Sequence, residues 1–391
     1  MRTLCIIASL ILFPAISHAC SMYKITKNGK TIVGNNEDWI SPNAQFWVEK
    51  GEDGKYGVIY VGLIDNFAQG ALNDAGLVFD GFSEPYLAIN NTEGKVKMPI
   101  SEAVRTVMQD YATVEEVEQY LKTIDLSSMV SGQLVFVDKS GTYLIVEGDE
   151  FISGDESEKS FSNFYYSQIA STDEVELDYY QSGLEYLASS KAKRSFDYCG
   201  EVMKSFASPK EYTQYSTIYD LEKLTIRVYL FHDFSTYKEL DLKQELAKGN
   251  HTMMIPALFP KDSKGYQHYQ AYNNPENPTW FLENMLKDAK VTETEMMEQG
   301  FNTVVNMIGY EWLFDKKDPT NAITIFTYGT DLMPNDPNLH NGLGDAYLEA
   351  KAYDNAIKSF ARSLVLNPDN EHAIKMLSKI SELKQKKGIS D

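Results

Sequence analysis

Polar and apolar residues alternate from Ser21 to Thr26, stop at Asn28-Gly29, and alternate again over Lys30–Gly34. A period of two places one face of a strand on a core. Asn-Gly suits a turn that needs positive φ at both central positions. The pattern therefore predicts a β-hairpin. Strands are also predicted at Tyr56–Ile64, Gly76–Ser83, Gln133–Asp138 and Thr142–Glu147, the last two joined by Lys139-Ser140-Gly141 as a second hairpin. The 3.6-residue spacing of helices fits Ser101–Tyr111, Val114–Ile124 and Ala192–Phe206. Thr113, followed three residues later by Glu116, is a capping box for the second of these. Strands at Gln214–Tyr219 and Leu224–Phe231 end the series. Strand runs interspersed with helical pairs predict an α+β domain, with helices laid on a mixed sheet.

The pattern changes near Pro256–Pro278. Phe259–Asn277 is rich in Pro, Asn, Gly and Lys and shows no clear period. This predicts a domain over 20–258, a linker over 259–280 and an all-helical domain over 281–391. Within the last, Pro337, Leu343-Gly344, Tyr347, Ala356, Phe360 and Pro368 occupy the signature positions of a tetratricopeptide repeat. Gly309, Ala322, Phe326 and Pro334 form an earlier copy, with one more residue between Gly and Ala than in the later one. Small residues are expected where paired helices touch. Glu371–Lys387 is expected to cover the last apolar face.

The start of the chain has a different design. Arg2 precedes an apolar run, Leu4 to Ile16, that is too short to span a bilayer. Ser17-His18-Ala19 follows as a small-x-small cleavage site. Residues 1–19 are therefore expected to be a signal peptide, which leaves Cys20 as the first residue of an exported, periplasmic or extracellular protein. No later segment is apolar enough to cross a membrane.

Composition narrows the function. The 391 residues are 43% apolar, with a formal net charge of −20. Such an acidic surface repels phosphate backbones, so a nucleic-acid partner is not expected. Three cysteines are present, and Cys5 lies in the signal. Cys20 and Cys199 alone are no disulfide framework. With six histidines but no HExxH or CxxC, neither a metal nor a cofactor is expected.

A processed Cys20 would carry a thiol and a free α-amine on one residue. An α-amine with a pKa of about 7.7–8.0 can take the thiol proton at neutral pH, which is the logic of an N-terminal nucleophile. Two other readings stand beside it. Cys20 could carry a lipid that anchors the protein to a membrane, although Ser17 sits where a lipidation signal wants a Leu-like residue. It could also be a bystander to a cut made elsewhere.

Cys20-Ser21-Met22, the hairpin and Gly34-Asn35-Asn36-Glu37-Asp38-Trp39 resemble the start of the choloylglycine hydrolase and penicillin V acylase family of N-terminal-nucleophile hydrolases. The resemblance continues, in order, through Gly70–Leu77, Phe136–Gly141, Ser162–Tyr165 and Tyr215–Asp220. It implies a four-layer αββα sandwich and cleavage of linear, non-peptide C–N amide bonds through a thioester acyl-enzyme. It also implies that Cys20 is the nucleophile, Asp38 the acid holding amine and thiol, and Asn163 an oxyanion donor. Ser83 and Asn35 fall at the other oxyanion and substrate-binding positions. At Asn35 the family carries Arg, and Asp178–Leu187 lacks a second Arg expected there. Bile-salt and penicillin V specificity therefore do not carry over. The expected small-molecule partner is an N-acyl amide, and the repeats could seat a protein partner. The alternatives are a lipid-anchored, inactive relative that binds through its repeats, and an acyltransferase using the same site.

Overall fold

A computed structural model describes residues 20–64, 66–207, 213–287, 291–298 and 300–387. The expected signal peptide, 1–19, lies outside the described residues. The chain divides into two compact units between Tyr269 and Gln270.

In the first unit the strands are β1 (Ser21–Lys27), β2 (Lys30–Asp38), β3 (Ala44–Glu49), β4 (Val58–Leu63), β5 (Ala68–Asn73), β6 (Val78–Ser83), β7 (Val96–Lys97), β8 (Ile124–Asp125), β9 (Gly132–Val137), β10 (Tyr143–Glu147), β11 (Glu150–Gly154), β12 (Glu158–Ser162), β13 (Thr213–Asp220), β14 (Thr225–Leu230), β15 (Asp233–Asp241) and β16 (His251–Met254). Its helices are α1 (Ile100–Asp110), α2 (Val114–Leu121), α3 (Asp178–Ser189), α4 (Phe196–Ser205) and α5 (Leu242–Ala247).

Both expected hairpins form. Asn28 and Gly29 take φ of 56° and 67°, as a primed turn requires. The capping box at α2 is complete: Thr113 and Glu116 satisfy each other's backbone N–H.

Six strands build one sheet in the order β12-β1-β2-β13-β14-β15, and eight build another in the order β11-β10-β9-β6-β5-β4-β3-β16. The pairings within both are antiparallel. Three buried clusters define the layers. Met22, Val33 and Tyr215 of the first sheet meet Phe46, Val61 and Val135 of the second. The other face of the second sheet, with Tyr60, Phe79 and Phe136, carries Val104 and Val107 of α1 and Val117 of α2. The other face of the first sheet, with Tyr23 and Ile218, carries Tyr180 of α3 and Val202 of α4. The unit is a four-layer αββα sandwich, as the resemblance implied.

The second unit is helical. The stretch expected as a linker, 259–280, holds α6 (Lys264–Tyr272), within which the division into units falls. Then follow α7 (Trp280–Leu286), α8 (Glu293–Glu298), α9 (Phe301–Tyr310), a π-helical turn at Glu311–Asp315, α10 (Pro319–Leu332), α11 (Pro337–Glu349), α12 (Tyr353–Leu366) and α13 (Glu371–Lys387). A Cβ on Gly309 would stand 2.5 Å from the Phe326 ring, and one on Gly344 would stand 2.6 Å from the Phe360 ring. The same Gly-on-Phe contact thus closes both repeats, as the signature requires. Lys317 and Lys351, which follow the first helices of the two repeats, both take positive φ, 54° and 61°. The extra residue of the first copy therefore lies between Gly309 and Lys317, where the π turn is found. A π turn is how a helix absorbs one inserted residue.

Candidate active site

Cys20 immediately precedes β1, a strand paired on both sides, with β2 and with β12. Its thiol belongs to the cluster between the two sheets and is 3% exposed. Its own carbonyl accepts from Ser162 Oγ at 2.7 Å, and Ser162 is held in turn by the Tyr179 hydroxyl at 2.9 Å. Its Sγ approaches the Asp38 carbonyl at 3.9 Å. The β1–β2 register, with Ser21 opposite Asn36, brings the start of one strand to the end of the other and so sets Cys20 beside Glu37 and Asp38.

Asn163 and Ser83 also meet. Asn163 follows the last residue of β12, the strand whose Ser162 pairs with Ser21. Its Nδ2 donates to the Ser83 carbonyl at 2.8 Å, across a sequence separation of 80 residues. An amide NH₂ has two hydrogens, so a second remains. Asn35 goes elsewhere. It is buried, its amide donates to Asp80 of β6, and it is absent from the cavity wall described below. The structure therefore does not bring Asn35, expected at a substrate-binding position, to this cavity. Strand alternation turns it, like Val33, toward the opposite sheet, where Asp80 takes its hydrogen bond.

A cavity of about 1240 Å³ in the first unit has Cys20, Glu37 and Ser83 in its wall. The rest of the lining is largely apolar and aromatic, including Trp47, Tyr60, Phe79, Phe82 and Leu134. Trp47 and Tyr60 stack at 5.3 Å. The Tyr-rich stretch from Asp178 forms α3 and buries Tyr179 and Tyr180 in the helix layer.

The electrostatics are unusual. Burial pushes the Cys20 thiol well above its ordinary pKa, and the carboxyls of Glu37, Asp38 and Asp80 push it further. Burial raises Asp38 to about 8, against a hydrogen bond from Thr213, its partner across the β2–β13 ladder. Burial also holds Glu37 and Asp80 well above the usual carboxylate range, and Glu37 feels both neighbouring acids. A thiolate is poorly supported here. The thiol proton needs an adjacent base, and the carboxyls can themselves carry protons.

Sequence reading passed over Glu37, Asp80 and Gln69. One signal was present. Asn35-Asn36-Glu37-Asp38 is polar at four successive, wholly buried positions of β2, so both faces of a core strand are polar. That conflict between pattern and burial marks a site. Among the described residues, no group of His, Cys, Asp and Glu is arranged to hold a metal ion.

The geometry defines the class first: an αββα sandwich with a cysteine at the head of a central strand and at the wall of an apolar cavity, followed by helical repeats. Residues 313–380 match the family model of the tetratricopeptide repeat. Among solved structures, the chain is similar to a mutant conjugated bile acid hydrolase from Clostridium perfringens. The two share 15% identity over 60% of this chain and 96% of that one, with a TM-score of 0.46. It is also similar to penicillin V acylase from Agrobacterium tumefaciens, at 16% identity over 57% of this chain and 91% of that one, with a TM-score of 0.42. The Caenorhabditis elegans ortholog of N-acylethanolamine-hydrolyzing acid amidase gives 14% identity over 52% and 92%, with a TM-score of 0.41. No curated protein matches the chain in sequence.

Proposed function

We propose that this protein is an exported amidohydrolase whose nucleophile is Cys20, made N-terminal by removal of residues 1–19. The observation that carries this reading is the placement of Cys20: its thiol lines an apolar cavity while its backbone is fixed between β2 and β12. The α-amine takes the thiol proton, and sulfur attacks the amide carbonyl. Asp38 orients the amine. The second Asn163 hydrogen and the Ser83 backbone N–H donate to the oxyanion, aimed at the charge as it develops. The amine departs, and water then releases the acyl group from the thioester. An aromatic-lined cavity of this size suits an N-acyl amide with an apolar acyl group. The repeats offer a surface for a protein partner.

The test begins with peptide mass spectrometry of the mature N-terminus from a host that processes the signal, followed by assay on N-acyl amides. The expected results are a Cys20 peptide with a free amine, loss of turnover in Cys20→Ser, and a fall of about 10²-fold or more in Asp38→Ala, the scale on which positioned proton transfer acts. A diacylglyceryl-Cys20, or a cut at another bond, would overturn the mechanism.

One observation favours a second reading. The amide of Asn35, where the family carries Arg, is tied to Asp80 and supplies no positive charge to a thiolate. On that reading the sandwich is inactive, Cys20 carries a lipid, and the repeats do the binding. The inward-facing thiol weighs against it, because a lipid attached there would have to fill the cavity.

A further inference from the structure

We infer that Glu37 is the acid that protonates the departing amine at the Cys20 site. The inference rests on the nucleophile reading above and adds to it a residue and a role.

Glu37 and Cys20 share more than proximity in sequence. The β1–β2 ladder pairs Ser21 with Asn36, and the next positions outward bring Cys20 opposite Glu37. Both line the cavity, and both are 3% exposed. Glu37 Oε1 accepts from Gln69 Nε2 on β5. Gln69 is itself held by the Tyr215 hydroxyl of β13, which donates to Gln69 Oε1 at 3.2 Å. The carboxyl is thus anchored through one oxygen by both sheets. Its other oxygen, Oε2, is buried with no partner at hydrogen-bonding distance among the described residues, although the Cys20 thiol lies near enough to the carboxyl to favour its charged form a little. An ionised oxygen left so would bear the full desolvation cost of a buried charge, whereas a protonated one is neutral. The titratable side chains facing Glu37 are Asp38 on its own strand, Asp80 of β6, Cys20, and Tyr215 and Tyr219 of β13; in the processed enzyme the Cys20 α-amine joins them, neutral until it takes the thiol proton. Burial first, then Asp80 and Asp38, keep it in the acid form, against Cys20 and Gln69, which favour the carboxylate.

The proton balance closes. The α-amine takes the thiol proton as the S–C bond forms. Glu37 gives its proton to the nitrogen as the C–N bond breaks, so the amine leaves neutral and Glu37 becomes a carboxylate. In the second half, water adds to the thioester carbon and returns a proton to Glu37. The C–S bond breaks, and sulfur recovers its proton from the α-ammonium. One water is consumed, and an acid and an amine are released.

A leaving group that needs no proton separates this role from a structural one. The processed enzyme and Glu37→Gln would be compared on decanoylglycine and on p-nitrophenyl decanoate, whose p-nitrophenolate departs as an anion. Glutamine keeps the shape and an oxygen for Gln69, and loses the acid. The expected result is a fall of about 10²–10⁴-fold in kcat/KM for the amide, with a far smaller fall in the acylation rate on the ester, read as the first-turnover release of p-nitrophenolate before the shared deacylation step. Equal losses on both substrates, or unchanged amide turnover, would overturn the assignment. So would a wild-type enzyme that cleaves the ester and leaves the amide intact. If Glu37→Gln does not fold, a series of wild-type decanoyl anilides replaces it. A weak dependence on aniline basicity supports a donor, and a steep one removes it. Cys20→Ala is measured alongside. Ester turnover surviving in that variant sinks the nucleophile, a failure distinct from that of Glu37.

Discussion

A carboxyl buried without a cation keeps its proton at a pH where an unfolded chain has already released it. Glu84, raised to about 9, is such a group, and so is Asp38, raised to about 8, while Cys20 is still joined to residue 19. Between the unfolded value of about 4 and these folded values, the native state holds protons that the unfolded state lacks. Stability therefore falls as pH rises through that window, and is fully retained below it. The melting temperature is expected to be lower at pH 8.5 than at pH 5, and Glu84→Gln is expected to flatten that slope. Differential scanning fluorimetry at the two pH values checks both; an unchanged slope in the variant would count against burial of a protonated Glu84. Glu84 suits this test because its burial is compounded by the nearby Glu147. Glu147 is supported by Gln133 at 2.7 Å and by the backbone N–H of Tyr166 at 2.9 Å. At this scale, part of the site was legible. Cys20 and Asp38 stand in one short motif, and a hairpin was enough to join them. Asn163 and Ser83 needed the resemblance to be named, and only the fold shows them touching. Glu37, Gln69 and Asp80 come together only when one sheet is laid on the other, and no spacing within a strand encodes that.

Among the elements, hairpins and capped helices were readable because their signals are local. Asn28-Gly29 and Thr113–Glu116 behave as their chemistry dictates. Strands β3 and β5 were not, because nearly every residue in them is buried and the alternation of period two is erased. The helical repeats carry two expectations. In Gly344→Ala, the new methyl enters the Phe360 ring. Overpacking costs about 1–3 kcal/mol against a helix-propensity gain of about 1 kcal/mol, so net destabilisation is expected from denaturant unfolding of the full chain. A neutral or stabilising result would show that the ring can yield. Deleting Phe314 removes one residue from the π turn. The first repeat would then have the Gly-to-Ala spacing of the second. Phe314 is 57% exposed, so little burial is lost. The variant is expected to stay folded and keep its helical circular dichroism, whereas deleting a residue inside α11 should not be tolerated.

For the molecule as a whole, a formal charge of −20 means self-repulsion in every compact state. Added salt screens it, so the melting temperature is expected to rise from low ionic strength to 0.15 M NaCl or above, where the Debye length is about 8 Å. A fall would mean that attractive ion pairs outweigh the net charge. The existence of two units, one mixed and one helical, was readable from the change of pattern. The division falls within the stretch expected as a linker; the helix α6 that forms there was not readable, because the composition of that stretch reads as loop.

The order of strands in the first sheet has a consequence for how the protein is made. β1, next to Cys20, is flanked by β2 and by β12, whose residues lie 133 to 141 positions from their partners (Ile25 to Glu158, Ser21 to Ser162), and β2 is flanked by β13, later still. Closing such distant pairs is slow. A ribosome that has released only the first hundred residues has made the cysteine and its aspartate, but neither of the strands that bury them. The Cys20 thiol is therefore expected to reach its buried position late, once β12 and β13 have been made.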